Sequence, residues 1–312
     1  MKTALLFPGQ GSQTVGMGKE LASQFVVAKQ VFDEVDAALN QKLSELIFEG
    51  PQETLTLTEN AQPAIMATSL AALRVMEKEY GFSVARDAQF VAGHSLGEYS
   101  ALCAAGALSL ADTARLLKLR GQSMQKAVPA GEGAMAALIG ADIEQAKTVA
   151  AEAAQGAVCT VANDNAPGQV VISGAKAAID RAVEIAKARG IKRAILLDVS
   201  APFHCPLMAP AAGVMAEALA KVTWNVPCVP VVANVIASAE STPDRLRQLL
   251  VEQVTGMVHW RESIHYLKSQ GVARAIEIGA GKVLSGMVKR IEPEIMCSNM
   301  GIPSDFESLK SA

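Results

Sequence analysis

A serine between two glycines offers the clearest chemistry in this sequence. Ser95 lies at the centre of Gly93-His-Ser-Leu-Gly97, which has the pattern G-x-S-x-G. A β-leaning run over 89–92 precedes it, and an apolar helical run begins at Glu98. Strand, tight turn and helix in this order are typical of a nucleophile elbow, where the serine hydroxyl stands clear of the sheet. The alternative is a chance pentapeptide in a glycine-bearing loop, but the flanking elements favour the elbow.

A serine hydroxyl is a weak nucleophile and needs a positioned base. His204 lies between Pro202 and Pro206, in a loop where the chain returns to the predicted core. Sites of α/β proteins form at such loops, beside the carboxyl ends of strands. We therefore expect His204 to be the base; the alternative is a turn histidine in water. The other histidines are expected to be structural, packed or solvated: His94, His259 and His265.

The group that would orient the histidine leaves no clear signal. Asp198 is close in sequence, but it falls within the strand predicted over 193–199, so we do not favour it. A backbone carbonyl would serve equally well and would leave no acidic residue to find. The residues alone leave this point open.

Arg120 is the basic residue that stands out. Ser109 and Asp112 form a capping-box-like start to a helix predicted to reach Lys126. At 100° per residue, Arg120 falls on the apolar side of this helix. A buried guanidinium needs a partner. The alternatives are an internal ion pair, a side chain that reaches out to solvent, and a fork for a carboxylate on the substrate.

A glycine-rich loop, Gly9-Gln-Gly-Ser-Gln13, follows the first predicted strand. Thr14 replaces the third glycine of a dinucleotide fingerprint, and Glu20 replaces the Ser or Thr of a phosphate-binding loop, so neither motif applies. In hydrolase-like sheets such a loop supplies one oxyanion-hole N–H, and the residue after the nucleophile supplies the other. We assign these donors to the backbones of Gln10 and Leu96; the alternative is an ordinary tight turn.

Composition narrows the class of protein. The chain has 312 residues, half of them hydrophobic, and a net charge of −3 without a Lys/Arg block, so we expect no nucleic-acid partner. Five scattered cysteines contain no C-x-x-C pair, which predicts neither disulfides nor a metal site. The apolar run after Met1 is too short for a signal peptide, and no run of 18 apolar residues predicts a membrane span. We expect a cytoplasmic protein and a monomer.

The element pattern predicts an α/β fold with two parts. Residues 128–197 read β-α-β-β-α-β, the order of a ferredoxin-like subdomain. Residues 1–127 and 198–312 read as a hydrolase-like core with a mainly parallel sheet. Within the subdomain, we place strands at 158–162 and 169–173, separated by a loop over 163–168.

Five segments together carry a resemblance that covers essentially the whole chain. They are Phe7-Pro-Gly-Gln-Gly-Ser-Gln13, Gly93-His-Ser-Leu-Gly-Glu98, Arg120, Ser200-Ala-Pro-Phe-His204 and Glu277-Ile-Gly-Ala-Gly-Lys282. In this order they resemble the malonyl-CoA:acyl carrier protein transacylases of type II fatty acid synthesis. One departure is Ala280, where many relatives carry proline, and it implies only a change in the stiffness of a turn.

The resemblance implies a role for each matching residue. Ser95 would carry the malonyl group, His204 would be its base, and Arg120 would hold the malonyl carboxylate. A backbone carbonyl matching that of Gln253 would hold the histidine in place of a triad acid. Phe203 would disfavour α-methylated substrates. Asn163 and Asn165 match family positions in the cleft, and Gln62 is a further expected cleft residue.

The expected activity is ping-pong transfer of malonyl from malonyl-CoA to the phosphopantetheine thiol of acyl carrier protein. The resemblance implies no metal and no prosthetic group. One alternative is a malonyltransferase of malonate decarboxylase or of a polyketide system, which differs only in the carrier. Another is a serine thioesterase or esterase, against which an inward Arg120 argues. A third is a catalytically idle binding subunit, against which the intact Ser95 and His204 argue.

Overall fold

The structure is a computed structural model that describes residues 1–309. Its strands are β1 (Lys2–Phe7), β2 (Phe90–Gly93), β3 (Gly133–Ile139), β4 (Cys159–Ala166), β5 (Gln169–Ala175), β6 (Arg193–Leu196), β7 (Val231–Ala233), β8 (Ser238–Glu240), β9 (Val272–Ile278) and β10 (Met296–Met300). Its helices up to the second sheet are α1 (Lys19–Gln24), α2 (Val26–Leu39), α3 (Leu43–Glu49), α4 (Gln52–Thr56), α5 (Thr58–Glu79), α6 (Val84–Asp87), α7 (Gly97–Ala104) and α8 (Leu110–Ala127). The others are α9 (Ile143–Ala154), α10 (Lys176–Ala188), α11 (Ala209–Leu219), α12 (Pro243–Thr255), α13 (Trp260–Ser269) and α14 (Val283–Ile291), with 3₁₀ turns at Pro206–Met208 and Pro303–Leu309.

The larger sheet has six strands in the order β10-β9-β1-β2-β7-β8. All its pairings are parallel except β7 with β8, as expected for a mainly parallel core. The register pairs Phe7 at the end of β1 with Gly93 at the end of β2. The glycine-rich loop after β1 and the elbow after β2 therefore leave the sheet side by side.

The smaller sheet has four antiparallel strands in the order β4-β5-β3-β6. With α9 and α10 this gives β-α-β-β-α-β, the predicted ferredoxin-like pattern. Alanines and branched residues of both helices pack with the sheet into a separate apolar cluster that includes Ala146, Val149, Ile172, Ile179 and Ala182. The α/β class and the two-part architecture are confirmed, whereas the boundaries at 128 and 197 stay predictions.

Strand β4 is longer than predicted. The expected loop over 163–168 shrinks to a turn at 167–168, because the polar residues up to Ala166 continue the pairing with β5 across two irregularities in register. Asn163 and Asn165 consequently lie on a strand, in the wall of the smaller sheet.

Other predicted boundaries also shift. The apolar spacing after Pro63 predicts a helix from Pro63 to Tyr80, but helix α5 begins at Thr58 and contains Pro63. Strand β6 ends at Leu196, which leaves the exposed Asp198 outside the strand. The sequence beyond Glu292 shows little pattern, but Met296–Met300 forms the edge strand β10 beside β9.

The edge strand β4 also connects the smaller sheet to the core. Val258 of the core donates its N–H to Ala162 O at 2.9 Å, and Asp164 donates its N–H to Val258 O at 3.0 Å. The buried carboxylate of Asp164 accepts from Arg261 at the start of α13, with Nη2···Oδ2 at 2.8 Å. The segment between α12 and α13 is thus fixed to the smaller sheet. Within residues 1–309, no helix is both long and apolar enough to cross a membrane.

Candidate active site

The turn from β2 to α7 has the geometry of a nucleophile elbow. Ser95 adopts a φ of 53°, a left-handed conformation that is uncommon for a residue with a side chain. A Cβ on Gly93 would lie 1.9 Å from backbone atoms of Gly97, and a Cβ on Gly97 would lie 2.2 Å from Phe7 O. Only glycine fits at either position, so the two glycines permit the tight turn that presents the serine. The predicted elbow is confirmed.

His204 reaches the serine from the other half of the core. Its Nε2 lies 2.8 Å from the Oγ of Ser95. Its Nδ1 lies 2.9 Å from the carbonyl oxygen of Gln253 and 3.2 Å from that of Gly256. Because both of these partners are acceptors, Nδ1 carries the hydrogen, and Nε2 is left to accept the serine proton. The alternative of a turn histidine in water is wrong, since His204 is buried.

The surroundings keep this imidazole neutral. Burial is the main cause that lowers the pKa of His204 to about 3, and the positive charge of Arg120 lowers it further. The two carbonyl acceptors act in the opposite direction and do not offset burial. A neutral imidazole is the form that accepts a proton from a hydroxyl.

Arg120 points inward from α8, as the helical wheel predicts, and is 2% exposed. Its Nη1 donates to Gln62 Oε1 at 2.8 Å, and its Nη2 donates to Gln253 Oε1 at 2.9 Å and to Ser95 Oγ at 3.2 Å. All three acceptors are neutral, and no ion pair among the described residues includes Arg120. The internal ion pair and the side chain that reaches solvent are therefore both wrong, and the fork for a substrate carboxylate remains.

Beneath the elbow lies a buried polar network that the sequence reasoning missed. Asn234 accepts the N–H of Ser95 through Oδ1 at 2.8 Å and donates from Nδ2 to Gly93 O at 2.7 Å. Gln253 Nε2 donates to Ser95 O at 3.0 Å and to Glu98 Oε2 at 2.9 Å. Glu98 Oε2 also accepts the N–H of Asn234 at 2.9 Å. This network fixes the serine backbone from both sides.

Its members gave only a weak signal in the sequence. An acidic residue in the apolar helix after the elbow is unusual, because an unpaired buried carboxyl is costly. Glu98 lies more than 130 residues from each of its partners, Asn234 and Gln253. Only the fold brings them together. The sequence prediction for Gln253 concerns its main-chain carbonyl and gives its side chain no role.

The predicted oxyanion donors lie at the mouth of the elbow. Among residues 1–309, no hydrogen bond uses the backbone N–H of Gln10 or of Leu96. Both residues line the cavity that contains Ser95. The side chain of Gln10 accepts from Thr58 Oγ1 at 3.0 Å, which fixes this loop against α5. Two uncommitted N–H groups beside a serine are the components of an oxyanion hole.

The cavity occupies about 380 Å³ between the two sheets. That volume is within the range of small-molecule sites. Both parts of the fold contribute lining residues, and the predicted ones among them are Gln10, Gln62, Ser95, Leu96, Arg120, Asn163, Asn165, Phe203 and His204. Gln253 lies behind this layer, where its carbonyl and amide contact the lining residues His204 and Arg120. All ten predicted site residues therefore converge on one cleft.

The remaining histidines lie elsewhere or serve other contacts. His94 also lines the cavity, but its Nε2 pairs with Asn165 Oδ1 at 2.7 Å. His259 and His265, which are partly exposed, pair with Glu262 and Glu292 respectively. Asp198 also lines the cavity but makes no hydrogen bond to His204.

Comparison with known proteins gives one consistent family. Residues 4–291 match the model of the acyl transferase domain. The chain is 49% identical over 307 residues to the malonyl CoA-acyl carrier protein transacylase of Bacillus subtilis (strain 168), covering 98% of this chain and 95% of that protein. The crystal structure of an acyl-carrier-protein S-malonyltransferase from Bartonella henselae is 55% identical, with a TM-score of 0.97 over 99% of this chain and 98% of that one.

A further solved structure contains a malonyl-transacylase together with its type II polyketide acyl-carrier protein in the holo form. It is 41% identical to this chain, with a TM-score of 0.96 and complete coverage of both chains. Sequence, fold and site therefore agree. The chain belongs to the acyl transferase domain family, and within it to the malonyl-CoA:acyl carrier protein transacylases.

Proposed function

We propose that this protein transfers the malonyl group of malonyl-CoA to the phosphopantetheine thiol of acyl carrier protein, through a malonyl ester on Ser95. The observation that carries this proposal is the convergence on one hydroxyl: Ser95 Oγ lies 2.8 Å from a neutral imidazole and 3.2 Å from a buried guanidinium. The names of the relatives support the same substrates. The imidazole can act as the base for nucleophilic attack by Ser95. The guanidinium can bind the second, free carboxylate of a malonyl group.

In the first half-reaction, Arg120 holds the malonyl carboxylate as a bidentate fork. Ser95 gives its proton to Nε2 of His204 as Oγ attacks the thioester carbonyl. The N–H groups of Gln10 and Leu96 stabilise the oxyanion that forms. When the intermediate collapses, the C–S bond breaks, His204 returns the proton to the CoA sulfur, and the malonyl-serine ester remains.

The second half-reaction reverses these roles. The thiol of the carrier gives its proton to His204 and attacks the ester carbonyl. The same two N–H groups stabilise the second oxyanion. The C–O bond to Ser95 then breaks, His204 protonates the serine oxygen, and malonyl-carrier leaves. Every proton in both halves passes through Nε2 of one imidazole, whose Nδ1–H stays on the carbonyl of Gln253.

These steps draw only on groups of the chain and of its two substrates. We therefore propose that the protein needs no metal ion and no prosthetic group of its own. The cleft residues have supporting roles in this scheme. Gln62 holds the second arm of the Arg120 fork, Asn163 and Asn165 form the wall of the smaller sheet, and Phe203 restricts space beside the acyl α-carbon.

The acceptor has a second candidate. The malonyl-transacylase that was solved with a polyketide carrier is nearly as similar to this chain as the enzymes named for the acyl carrier protein. The chemistry is the same for either carrier, so this alternative changes the partner and not the mechanism. Fatty acid synthesis remains our proposal, because most of the named relatives are acyl carrier protein enzymes without mention of polyketides.

One experiment tests the proposal directly. The protein is mixed with malonyl-CoA, and Ser95 is examined by mass spectrometry for a malonyl adduct. Holo acyl carrier protein is then added, and transfer of the adduct is followed against a sample with buffer alone. We expect an adduct that persists in buffer and moves to the carrier within seconds. No adduct, or release into water as fast as onto the carrier, would contradict transferase activity and favour a thioesterase.

A further inference from the structure

Glu98 is a buried carboxyl that the catalytic steps above do not use. It is 1% exposed and lies in the first turn of α7, three residues beyond the serine. Its Oε2 accepts two hydrogen bonds, from the N–H of Asn234 and from Nε2 of Gln253. Its Oε1 is buried and has no hydrogen-bond partner in the part of the chain that the structure describes. A carboxyl in these surroundings is poised between its charged and neutral forms, because only one of its oxygens is satisfied.

Glu98 is joined to Arg120 through a single amide. The Nη2 of Arg120 donates to Gln253 Oε1 at 2.9 Å, and Nε2 of the same amide donates to Glu98 Oε2 at 2.9 Å. Within residues 1–309, Arg120 has no direct carboxylate partner. Glu98, on the far side of the amide, is the carboxylate that acts on the charge of Arg120. The arrangement keeps a counter-charge near the guanidinium, whose terminal N–H groups donate only to neutral side-chain acceptors.

We propose, building on the malonyl transfer proposed above, that binding of the malonyl carboxylate to Arg120 is coupled to uptake of a proton by Glu98. A second carboxylate beside the same cation places two negative charges around one positive charge in a buried site. Neutralising Glu98 with a proton from solvent restores the balance. Glu98 is thus a positioning residue, which acts on the substrate through Gln253 and Arg120.

Among the titratable groups Glu98, Tyr99, His94 and His204 around Arg120, Glu98 is the one with a pKa near neutrality. Burial raises its pKa to about 7. Tyr99, which interacts with both Glu98 and Arg120, has its pKa raised by burial to about 12 and stays neutral. On the other side of Arg120, burial lowers the pKa of His204 to about 3, and burial also lowers the pKa of His94. Tyr99 and His204 therefore do not change charge between pH 6.5 and 8, and the lowered pKa of His94 favours its neutral form over the same range.

The sign of the pH dependence follows from the coupling. If the complex holds Glu98 protonated, binding consumes a proton at any pH where the free enzyme holds it ionised. Affinity for malonyl-CoA then falls as pH rises, by at most tenfold per pH unit. A glutamine at this position keeps an acceptor for Asn234 and Gln253 but has no charge to neutralise, so it abolishes the dependence.

Calorimetric titration directly measures the number of protons taken up on binding. Malonyl-CoA is titrated into the Ser95→Ala protein at pH 7 in phosphate and in Tris, whose ionisation enthalpies differ, and the difference in heat gives the protons taken up. Acetyl-CoA is the control, because it carries the same CoA phosphates without the second carboxylate. We expect about half a proton more for malonyl-CoA than for acetyl-CoA, and a Kd that weakens about eightfold from pH 6.5 to 8.

The same titrations in Ser95→Ala with Glu98→Gln complete the test. We expect no extra proton and a Kd that is constant within about 1.5-fold over this range. Equal proton uptake for the two ligands, or an unchanged pH slope in the glutamine variant, would overturn the coupling. If that variant does not fold, the comparison of malonyl-CoA with acetyl-CoA still decides. A malonyl adduct on Ser95 of the wild type without extra proton uptake would refute the coupling alone, whereas no adduct would refute the proposed function.

Discussion

The guanidinium of Arg120 and the hydroxyl of Ser95 share a hydrogen bond, with Nη2 and Oγ 3.2 Å apart. A cation this close to the nucleophile favours loss of the hydroxyl proton, and it also lies within reach of a three-carbon acyl group attached to that oxygen. The far carboxylate of a malonyl ester can therefore remain on Arg120 while its carbonyl stays on Ser95. In the proposed mechanism, one guanidinium would serve both the free enzyme and the acylated one.

Arg120→Ala tests this assignment. We expect kcat/KM for malonyl transfer to fall about 100-fold, because a charged, buried, two-pronged hydrogen bond is lost. Transfer of acetyl, which has no second carboxylate, is expected to fall less than about tenfold. Arg115→Ala is the matched control, since Arg115 lies on the same helix with its side chain 57% exposed. Equal losses for malonyl and acetyl would show that Arg120 is structural.

His204→Gln tests the base. We expect acylation of Ser95 by malonyl-CoA to slow by about 10²- to 10⁴-fold, the usual contribution of a positioned general base. His265→Gln, which changes a half-exposed histidine far from the cleft, is the control and should leave the rate unchanged. A slowing of less than tenfold in His204→Gln would contradict the role of base.

The lowered pKa of His204 also predicts how the protein responds to acid. Its pKa of about 3 means that the imidazole stays neutral as pH falls through 6.5, so the acylation rate of the free enzyme should show no loss near that pH from this group. In the unfolded chain a histidine takes up a proton near pH 6.5, so unfolding becomes coupled to proton uptake below that pH. Stability should therefore decline from about pH 6.5 downward, and the decline should be smaller in His204→Gln, as measured by denaturant unfolding at pH 5 and 7.5.

Gln253→Ala separates the two roles of one residue. The main-chain carbonyl that accepts from His204 is kept, whereas the amide between Arg120 and Glu98 is removed. We expect kcat/KM to fall about tenfold more for malonyl than for acetyl, the effect of one hydrogen bond to a charged group. The exposed Gln248→Ala on the same helix is the control. Parallel losses with both acyl groups would indicate that the amide only supports the serine backbone.

Gly97→Ala tests the elbow through stability. The new Cβ would lie 2.2 Å from Phe7 O, so either β1 or the turn must shift. We expect the free energy of unfolding to fall by about 2 kcal/mol or more, as for other overpacked sites. Gly213→Ala on α11 is the matched control, because its Cβ would meet no atom within 4 Å; it should gain about 0.5–1 kcal/mol from helix propensity. Similar values for the two variants in denaturant unfolding would mean that the elbow tolerates a side chain.

The local parts of the site were predictable from sequence. The elbow is encoded within five consecutive residues, and the inward direction of Arg120 follows from helical periodicity, so both predictions agree with the structure. The predicted oxyanion donors, Gln10 and Leu96, also follow from local sequence, because each lies three residues after the end of a strand. The choice of His204 as the proposed base required only that a rigid loop histidine be chosen from four.

The parts that failed depend on contacts between distant segments. The polar run from Asn163 looks like a loop, yet pairing with β5 on one side and with Val258 on the other makes it a strand. Edge strand β10 exists because β9 offers an unpaired edge, which the weak pattern of the tail does not reveal. The carboxyl of Glu98 acquires its role from Asn234 and Gln253, and no spacing rule connects these positions.

The contacts of strand β4 with Val258 and Arg261 of the core have a consequence for how such enzymes diversify. The smaller sheet brings Asn163 and Asn165 to the cleft, whereas the groups proposed for bond making and breaking come from the core. Replacement of residues 128–197 by recombination would then exchange one wall of the cleft and leave the acyl chemistry intact. Such an exchange would succeed only if the incoming strand still paired with Val258 and carried an acid opposite Arg261. The wall that the smaller sheet contributes would in this sense be exchanged separately from Ser95, Arg120, Phe203 and His204.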